Sequence, residues 1–253
     1  MTPISIVMSC YNEENNLKRG VLQELSDYLQ KQPYSWEVII SNDVSTDNSY
    51  QLLLAFAQKH PHFKIYNLSK KGGKPGGIWH SIQKAQYPYV LMTDIDQSTP
   101  IKEIEKFLPF LPANEVVIGS RGLHREGNSF LRRIGGPVFL SLRRLVILPQ
   151  IIDTQCGFKL LKTEVAKILF PHLQFFRKEK NPTGWRVSAF DVELLFMAQK
   201  WGYKIKEVEI DWRNEDTSNT KGDDTLRYKN ESLQMIQEII RVKKNDLQGL
   251  YEK

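Results

Sequence analysis

Apolar and polar positions along the chain separate into short apolar runs and segments with helical spacing. Five apolar runs in the first half are typical of buried strands: "ISIVMS" (4–9), "WEVIIS" (36–41), "FKIYNLS" (63–69), "YVLMT" (89–93) and "EVVIGS" (115–120). Between them lie "NEENNLKRGVLQELSDYLQ", "YQLLLAFAQK" and "IWHSIQKA", whose apolar spacing predicts helices. This alternation predicts an α/β fold, Rossmann-like, with a mainly parallel sheet flanked by helices.

The second half of the chain is less regular. "FKLLK" (158–162) predicts a short strand, "SAFDVELLFMAQKWG" (188–202) a helix and "KIKEVEIDW" (204–212) a half-buried strand, and a last amphipathic helix is expected over about 229–244. No repeat, linker or low-complexity block divides the sequence. We therefore expect a single domain, residues 1–253.

Bulk composition narrows the possible partners. The chain has 253 residues, 41% apolar and 25% charged, and a formal charge of +6, which suits an anionic partner such as nucleic acid, anionic lipid or a phosphorylated substrate. Two distant cysteines, Cys10 and Cys156, make no disulfide framework and predict a reducing compartment. No signal peptide or membrane-spanning run is present in the sequence, so we expect any contact with a membrane to be made from its surface.

Four polar clusters follow predicted strands: Tyr11, Asn12 and Glu13; Asn42, Asp43 and Asp47; the loop 70–77; and Asp94, Asp96 and Gln97. In open α/β sheets, ligands bind beyond the carboxyl ends of the strands. Acids also cap helices and fill turns, so one such cluster alone would be weak evidence. Four clusters at one edge of a sheet predict a binding site there.

The pair Asp94 and Asp96, in "LMTDIDQST", predicts a site for Mg²⁺ or Mn²⁺, which proteins hold with one or two carboxylates and substrate phosphates. The alternative is that Asp96 caps the next helix and Asp94 is a solvated strand end. The loop "KKGGKPGG", which contains Lys74, could bring backbone amides and lysines to phosphate, or could be a flexible turn. It has neither a Walker A pattern nor the dinucleotide-binding pattern after the first strand, which disfavours a dehydrogenase.

Taken together, these segments resemble glycosyltransferase family 2, the inverting GT-A transferases. "SIVMSCYNEE", "EVIISNDVSTD", "GGKPGGIWHSI", "LMTDIDQST", "VVIGSR" and "DTQCGFKLLK…AFDVELLFMAQKWGYKIKEVEIDW" follow one another in the order typical of the family. The second half is most similar to dolichyl-phosphate β-glucosyltransferases and more loosely to other polyprenyl-phosphate glycosyltransferases. The resemblance implies a GT-A fold, with residues 1–120 binding the nucleotide sugar and 121–253 the acceptor.

The resemblance also implies roles for individual residues. Tyr11, Glu13 and Asp43 would hold the base and ribose, Asp94 and Asp96 the metal on the donor diphosphate, and Lys74 and Arg121 donor phosphate. On the acceptor side it implies phosphate contacts from Arg132 or Arg133, a lining of Asp153, Gly157, Phe158 and Lys159, and catalytic roles for Asp153 and Asp191. Departures from the family pattern occur at Asn42, Val44, Pro75 and Trp79, and they put base recognition and one phosphate contact in question.

Two features bear on the acceptor. Segment 129–152 combines apolar residues with Arg132, Arg133, Arg143 and Arg144, so it could lie in a membrane interface or be a core helix with its arginines reaching out to water. A phosphate monoester is already ionised at neutral pH, whereas a sugar hydroxyl needs a general base. Asp191 could be that base, or simply an acid in the first turn of its helix, where a negative charge is favourable.

The sequence thus predicts a metal-dependent transferase that moves a hexose from a nucleotide sugar, UDP-glucose by resemblance, to a polyprenyl phosphate at the cytoplasmic face of a membrane. A soluble transferase acting on a saccharide hydroxyl is the alternative, and a non-catalytic nucleotide-sugar-binding protein is a further one. Nucleic acid is not an expected partner, because the aromatic residues follow core spacing rather than interleaving with basic residues on one face.

Overall fold

The computed structural model describes residues 2–122, 147–178, 190–213 and 224–252, with side chains of the last segment from residue 236 onward. Its strands are β1 (Ile4–Cys10), β2 (Trp36–Asn42), β3 (Phe63–Asn67), β4 (Tyr89–Met92), β5 (Val116–Ser120), β6 (Lys159–Lys162) and β7 (Ile205–Glu209). Each predicted strand is therefore confirmed, with shifts of a few residues at the ends.

The helices are α1 (Glu14–Lys18), α2 (Val21–Leu29), α3 (Ser49–Ala57), α4 (Gly73–Lys84), α5 (Thr163–Leu169), α6 (Gln174–Lys178), α7 (Phe190–Lys200) and α8 (Asp224–Leu247). Short 3₁₀ helices cover Ile101–Lys106, Leu108–Ala113 and Phe170–His172. The single helix expected after β1 is two helices, because Gly20 between them has a φ of 91°, a left-handed conformation that only glycine adopts at little cost.

The strands form one seven-stranded sheet in the order β3-β2-β1-β4-β6-β5-β7. Only β6 is antiparallel to its neighbours β4 and β5, and the remaining pairs are parallel. The mainly parallel α/β architecture predicted from the sequence is confirmed. β2 and β3 lie on one side of β1, and β4 lies on its other side, so the strand order reverses between β1 and β4.

Two apolar clusters cover the two faces of the sheet, as expected for a parallel sheet whose strands are buried on both sides. Alternate residues of β1 divide between them: Ile6 and Met8 pack with α2 and the first 3₁₀ helix, whereas Val7 packs with α4, α5 and α7. The sheet is thus covered by helices on both faces, and the polar residues at the strand ends lie outside this apolar core.

Candidate active site

Strand direction gathers the predicted site residues at one edge of the sheet. The carboxyl ends of the parallel strands β1, β2, β4 and β5 meet there. Because β6 is antiparallel, the segment that precedes it, with Asp153 and Gly157, reaches the same edge. The crevice between β1 and β4, where the strand order changes direction, is the usual ligand position in such sheets.

Asp43 anchors the glycine-rich loop. This buried carboxylate accepts hydrogen bonds from the backbone N–H groups of Gly72 and Gly73, at 2.5 and 2.8 Å. Burial raises the pKa of Asp43, although the two amides and Lys71 act in the opposite direction. From the sequence, this loop could offer its amides to phosphate or be a flexible turn. In the structure two of the amides donate to Asp43, and α4 already begins at Gly73.

The side chains after β1 connect the neighbouring elements. The Lys71 ammonium lies 3.4 Å from the ring centroid of Tyr11, a cation–π contact between the glycine-rich loop and the segment after β1. Glu13 accepts a hydrogen bond from the side-chain amide of Asn16 at 2.6 Å, and its N–H donates to Ser49 Oγ at 2.7 Å. Tyr11 thus stands beside the loop that Asp43 holds, whereas Glu13 contacts the starts of α1 and α3. The contact of either residue with a base or ribose remains a prediction.

Lys74 and Asp94 form an ion pair across the crevice, with 2.5 Å between Lys74 Nζ and Asp94 Oδ1. Burial alone would raise the pKa of Asp94, but the Lys74 ammonium, aided by Lys159 and Arg121, lowers it below its usual range. A Cβ atom added to Gly157 would overlap Asp94 Oδ2, so only glycine leaves room for this carboxylate. Two predicted donor-side residues, Lys74 and Asp94, are therefore in direct contact.

Lys159 and Asp191 form a second ion pair, which is buried. Lys159 Nζ lies 2.5 Å from Asp191 Oδ1, and the two side chains are 0% and 7% exposed. The same ammonium donates a hydrogen bond to the backbone carbonyl of Cys156. Asp191 lies in the first turn of α7, as predicted, but its carboxylate is neutralised by Lys159.

Arg121 and Asp153 form a third ion pair with two parallel hydrogen bonds, at 2.6 Å from Nε and 2.9 Å from Nη2. The backbone N–H of Arg121 also donates to Asp153, and the guanidinium lies 5.6 Å from the ring centroid of Trp212. Glu207 of β7 accepts hydrogen bonds from the N–H groups of Ile152 and Asp153, at 2.8 and 2.6 Å. Arg121, the predicted phosphate contact, and Asp153, the predicted catalytic acid, thus bind each other and are held in place by the surrounding backbone.

Three comparisons with known proteins bear on this arrangement. The model of the family described as glycosyl transferase family 2 matches residues 5–170, about two thirds of the chain. The chain belongs to glycosyl transferase family 2. This family 2 transferase is 30% identical over 266 residues to the dolichyl-phosphate beta-glucosyltransferase of Dictyostelium discoideum, an alignment that covers 98% of the chain and 76% of the relative.

Solved structures confirm the GT-A fold of this family 2 transferase. Mannosyl-3-phosphoglycerate synthase from Rubrobacter xylanophilus superimposes with a TM-score of 0.67 at 14% identity, over 100% of this chain and 76% of that one. Glucosyl-3-phosphoglycerate synthase from Mycobacterium tuberculosis, solved with Mn²⁺, UDP and glucosyl-3-phosphoglycerate, superimposes with a TM-score of 0.66 at 16% identity, over 95% and 80% of the two chains. At these identities the likeness concerns the fold.

The aspartates after β4 fit a hard divalent cation. Asp94 already holds one cation, the Lys74 ammonium, and Asp96 Oδ1 accepts the N–H of Ser98 at 2.9 Å, which fixes the turn. No group of three His, Cys, Asp or Glu side chains able to hold a metal is found within the described ranges. This donor set matches Mg²⁺ or Mn²⁺, which take one or two carboxylates and complete their shell with substrate phosphate and water.

Backbone strain marks the same edge of the sheet. Among the residues that the structure describes, three other than glycine have positive φ angles: Asn12 (56°), Val44 (57°) and Gln97 (51°), which follow β1, β2 and β4. Asn tolerates this conformation, but a β-branched valine in it is an outlier. Such strain is typical of functional sites, where the surrounding structure maintains it.

The described part of the structure does not place three of the predicted acceptor-side residues in the crevice. Arg132 and Arg133, with most of segment 129–152, lie outside the described residues. Phe158 is a correction: its side chain is buried in the core with its ring centroid 5.3 Å from that of Phe107, because it points away from the crevice into one face of the sheet. Phe158 therefore packs in the core beneath the strand ends and does not line the crevice.

Sequence reasoning missed several residues that build the site. Glu207 lies in a segment for which the sequence predicts only a half-buried strand, and no local pattern indicates that it accepts hydrogen bonds from the backbone N–H groups of Ile152 and Asp153. Arg19 belongs to no motif that indicates a site, yet its guanidinium donates to the carbonyl of Asp96 at 2.7 Å. The loop contains several lysines, and only the structure shows that Lys71 is the one that contacts Tyr11.

No helix in the described part of the chain is long and apolar enough to cross a bilayer.

Proposed function

We propose that this glycosyltransferase transfers glucose from UDP-glucose to a polyprenyl phosphate, with inversion at the anomeric carbon. The donor would bind in the half formed by residues 1–120 and the acceptor in residues 121–253. Two relatives, 30% and 31% identical over 98% and 86% of the chain, are named dolichyl-phosphate beta-glucosyltransferases, and these names support this choice of donor sugar and acceptor. The fold neighbour solved with UDP supports the nucleotide.

The reaction would form a bond between a phosphate oxygen of the acceptor and the anomeric carbon, while the bond from that carbon to the donor diphosphate breaks. Negative charge then develops on the departing UDP, and preorganised cations stabilise such charge strongly. Lys74 and Arg121, which the resemblance to the family assigns to donor phosphate, would supply such cations. Asp94 and Asp96 would hold Mg²⁺ or Mn²⁺, which as a Lewis acid neutralises the diphosphate when it is bound.

The observation that carries the choice of acceptor is the ion pair between Lys159 and Asp191. If Asp191 took a proton from an acceptor hydroxyl, the fully buried Lys159 ammonium would lose its counter-charge, and an unpaired buried charge is costly. A phosphate acceptor avoids this cost, because it is already a dianion near neutral pH. Asp191 would then keep its charge throughout the reaction and orient groups at the acceptor side.

The proposal also includes a membrane surface, because a polyprenyl chain is anchored there. It places the enzyme at the cytoplasmic face. Nucleotide sugars are available on that side, and its reducing environment suits the free cysteines Cys10 and Cys156. We expect segment 129–152 to contact that surface.

A panel of nucleotide sugars with Mg²⁺ or Mn²⁺, with and without a polyprenyl phosphate, tests the proposal. The expected result is consumption of UDP-glucose that depends on both the metal and the lipid phosphate. Asp94→Asn is expected to abolish transfer and leave the fold intact, because Asp94 is 40% exposed and lies outside the core. Consumption that requires a saccharide instead of the lipid would support the soluble transferase, and donor binding without any turnover would support a non-catalytic protein.

A further inference from the structure

The ion pair between Lys74 and Asp94 differs from the buried pair Lys159–Asp191. Each of its side chains is 40% exposed, and its members lie on separate elements, Lys74 in the first turn of α4 and Asp94 after β4. Separation of this pair leaves both charges in contact with water. The pair can therefore open at a modest cost, whereas the buried pair cannot.

The pair also involves the carboxylate that is proposed to hold the metal ion. One oxygen of Asp94 contacts the Lys74 ammonium, and the other faces the backbone at Gly157 so closely that even a methyl group would not fit there. A divalent cation on Asp94 would lie within a few ångströms of Lys74 Nζ, and like charges at that distance repel strongly. The metal and Lys74 are thus competitors for one carboxylate.

We propose that Lys74 is a displaceable internal cation: it neutralises Asp94 before the donor arrives, and it moves to the donor diphosphate when a divalent cation takes its place. This inference rests on the proposed function, because it takes Asp94 as a metal ligand. Lys74 is well placed for the exchange, since its flexible side chain starts in the first turn of α4, directly after the two backbone amides that Asp43 binds.

A consequence is that metal and donor help each other to bind. The metal alone must displace Lys74 and leave the ammonium without a partner, whereas the metal with a diphosphate offers Lys74 a new anion. If Lys74 occupies Asp94 about nine-tenths of the time, the affinity for metal alone is lowered about tenfold. The free enzyme would then bind metal weakly and take it up together with the nucleotide.

Mn²⁺ binding, measured by electron paramagnetic resonance, tests the exchange directly. Lys74→Met removes the ammonium and keeps the length of the side chain, and Lys84→Met is the matched control because it removes one charge from the exposed far end of the same helix. With Mn²⁺ alone, we expect Lys74→Met to bind about tenfold more tightly than the wild type. Lys84→Met should bind as the wild type does.

The same titrations with UDP complete the test. Addition of UDP should tighten Mn²⁺ binding by the wild type much more than by Lys74→Met, because only the wild type has an ammonium to offer the diphosphate. Circular dichroism and thermal unfolding check the fold of each variant, and Lys74→Gln serves as a second neutral side chain. Equal or weaker binding of Mn²⁺ by both neutral variants without UDP would overturn the inference.

Asp94→Asn separates this inference from the proposed function. If Asp94→Asn loses Mn²⁺ binding while Lys74→Met binds Mn²⁺ as the wild type does, Asp94 is the ligand and only the exchange is wrong. If Asp94→Asn binds Mn²⁺ with unchanged affinity, the metal does not bind at Asp94, and both the exchange and the proposed metal site are wrong.

Discussion

The ammonium of Lys159 lies 2.5 Å from the carboxylate of Asp191, and neither side chain has appreciable contact with water. The two residues are 32 positions apart, at the start of β6 and in the first turn of α7. The pair therefore fixes the position of α7 relative to the sheet. It also places an ammonium beside the carboxylate for which the sequence left two roles open, a catalytic base or an acid at a helix start.

We predict that Lys159→Met and Asp191→Asn each lower the free energy of unfolding by about 3–5 kcal/mol, because each leaves one buried charge without its partner. The double variant should lose less than the sum of the two, by about 1–3 kcal/mol, since it leaves no uncompensated charge. Urea unfolding of the four proteins measures this coupling. Additive losses, within about 0.5 kcal/mol, would show that the two charges do not depend on one another.

We also predict a small effect of Asp191→Asn on catalysis. Asparagine keeps the size and hydrogen bonding of the side chain but cannot take a proton. With a phosphate acceptor, transfer should fall no more than about tenfold, well below the 10²–10⁴-fold that loss of a general base costs. Initial rates must be compared below the unfolding temperature of the variant. A loss of about a thousandfold or more at unchanged donor affinity would favour a hydroxyl acceptor.

Gly157→Ala should damage the site without unfolding the protein. The added methyl group would overlap Asp94 Oδ2, so the carboxylate must move, and a displacement of about 1 Å can cost on the order of 10²-fold in rate. The matched control is Gly76→Ala in the first half of α4, where a Cβ atom would be 4.0 Å from Phe175. That variant should keep its activity and gain about 0.5–1 kcal/mol of stability from better helix propensity. Equal activity of both variants would contradict the steric argument.

Val44→Gly should stabilise the protein. Valine at a φ of 57° stores strain of about 1–3 kcal/mol, and glycine removes it at an entropic cost of about 0.5–1 kcal/mol. Asn12→Gly is the informative comparison, because Asn12 Oδ1 accepts the N–H of Thr46 at 2.9 Å and this bond would be lost. We expect the midpoint of urea unfolding to rise for Val44→Gly and to fall for Asn12→Gly. A lower midpoint for Val44→Gly would mean that its side-chain contacts outweigh the strain.

The seven strands could be predicted from the sequence because a buried strand is a short apolar run, irrespective of which strands lie beside it in the sheet. The antiparallel insertion of β6 could not, since "FKLLK" carries no sign of direction. The start of α4 at Gly73 was also missed: three glycines and a proline suggest a loop, but Pro75 is tolerated in a first turn, and Asp43, thirty residues earlier, binds the free amides.

The candidate site shows the same limit. The acids and cations that line the crevice were found because each follows or precedes a strand at the functional edge. Their pairing was not found: Lys74 with Asp94, Arg121 with Asp153 and Lys159 with Asp191 are separated by 20 to 32 positions, and charge alone does not select a partner. This pairing matters for the chemistry, because it decides which aspartate can bind a metal and which keeps its charge.

One comparison tests the central claim, that the acceptor is a lipid phosphate, most directly. Purified protein is incubated with labelled UDP-glucose and Mn²⁺, with either a polyprenyl phosphate or the polyprenol of the same chain length, and label in the lipid extract is counted. These lipids differ only in the phosphate group, so membrane affinity of the chain is common to both. We predict labelled lipid with the polyprenyl phosphate and none above background with the polyprenol. Equal labelling of the two lipids, or label only on an added saccharide, would contradict the account.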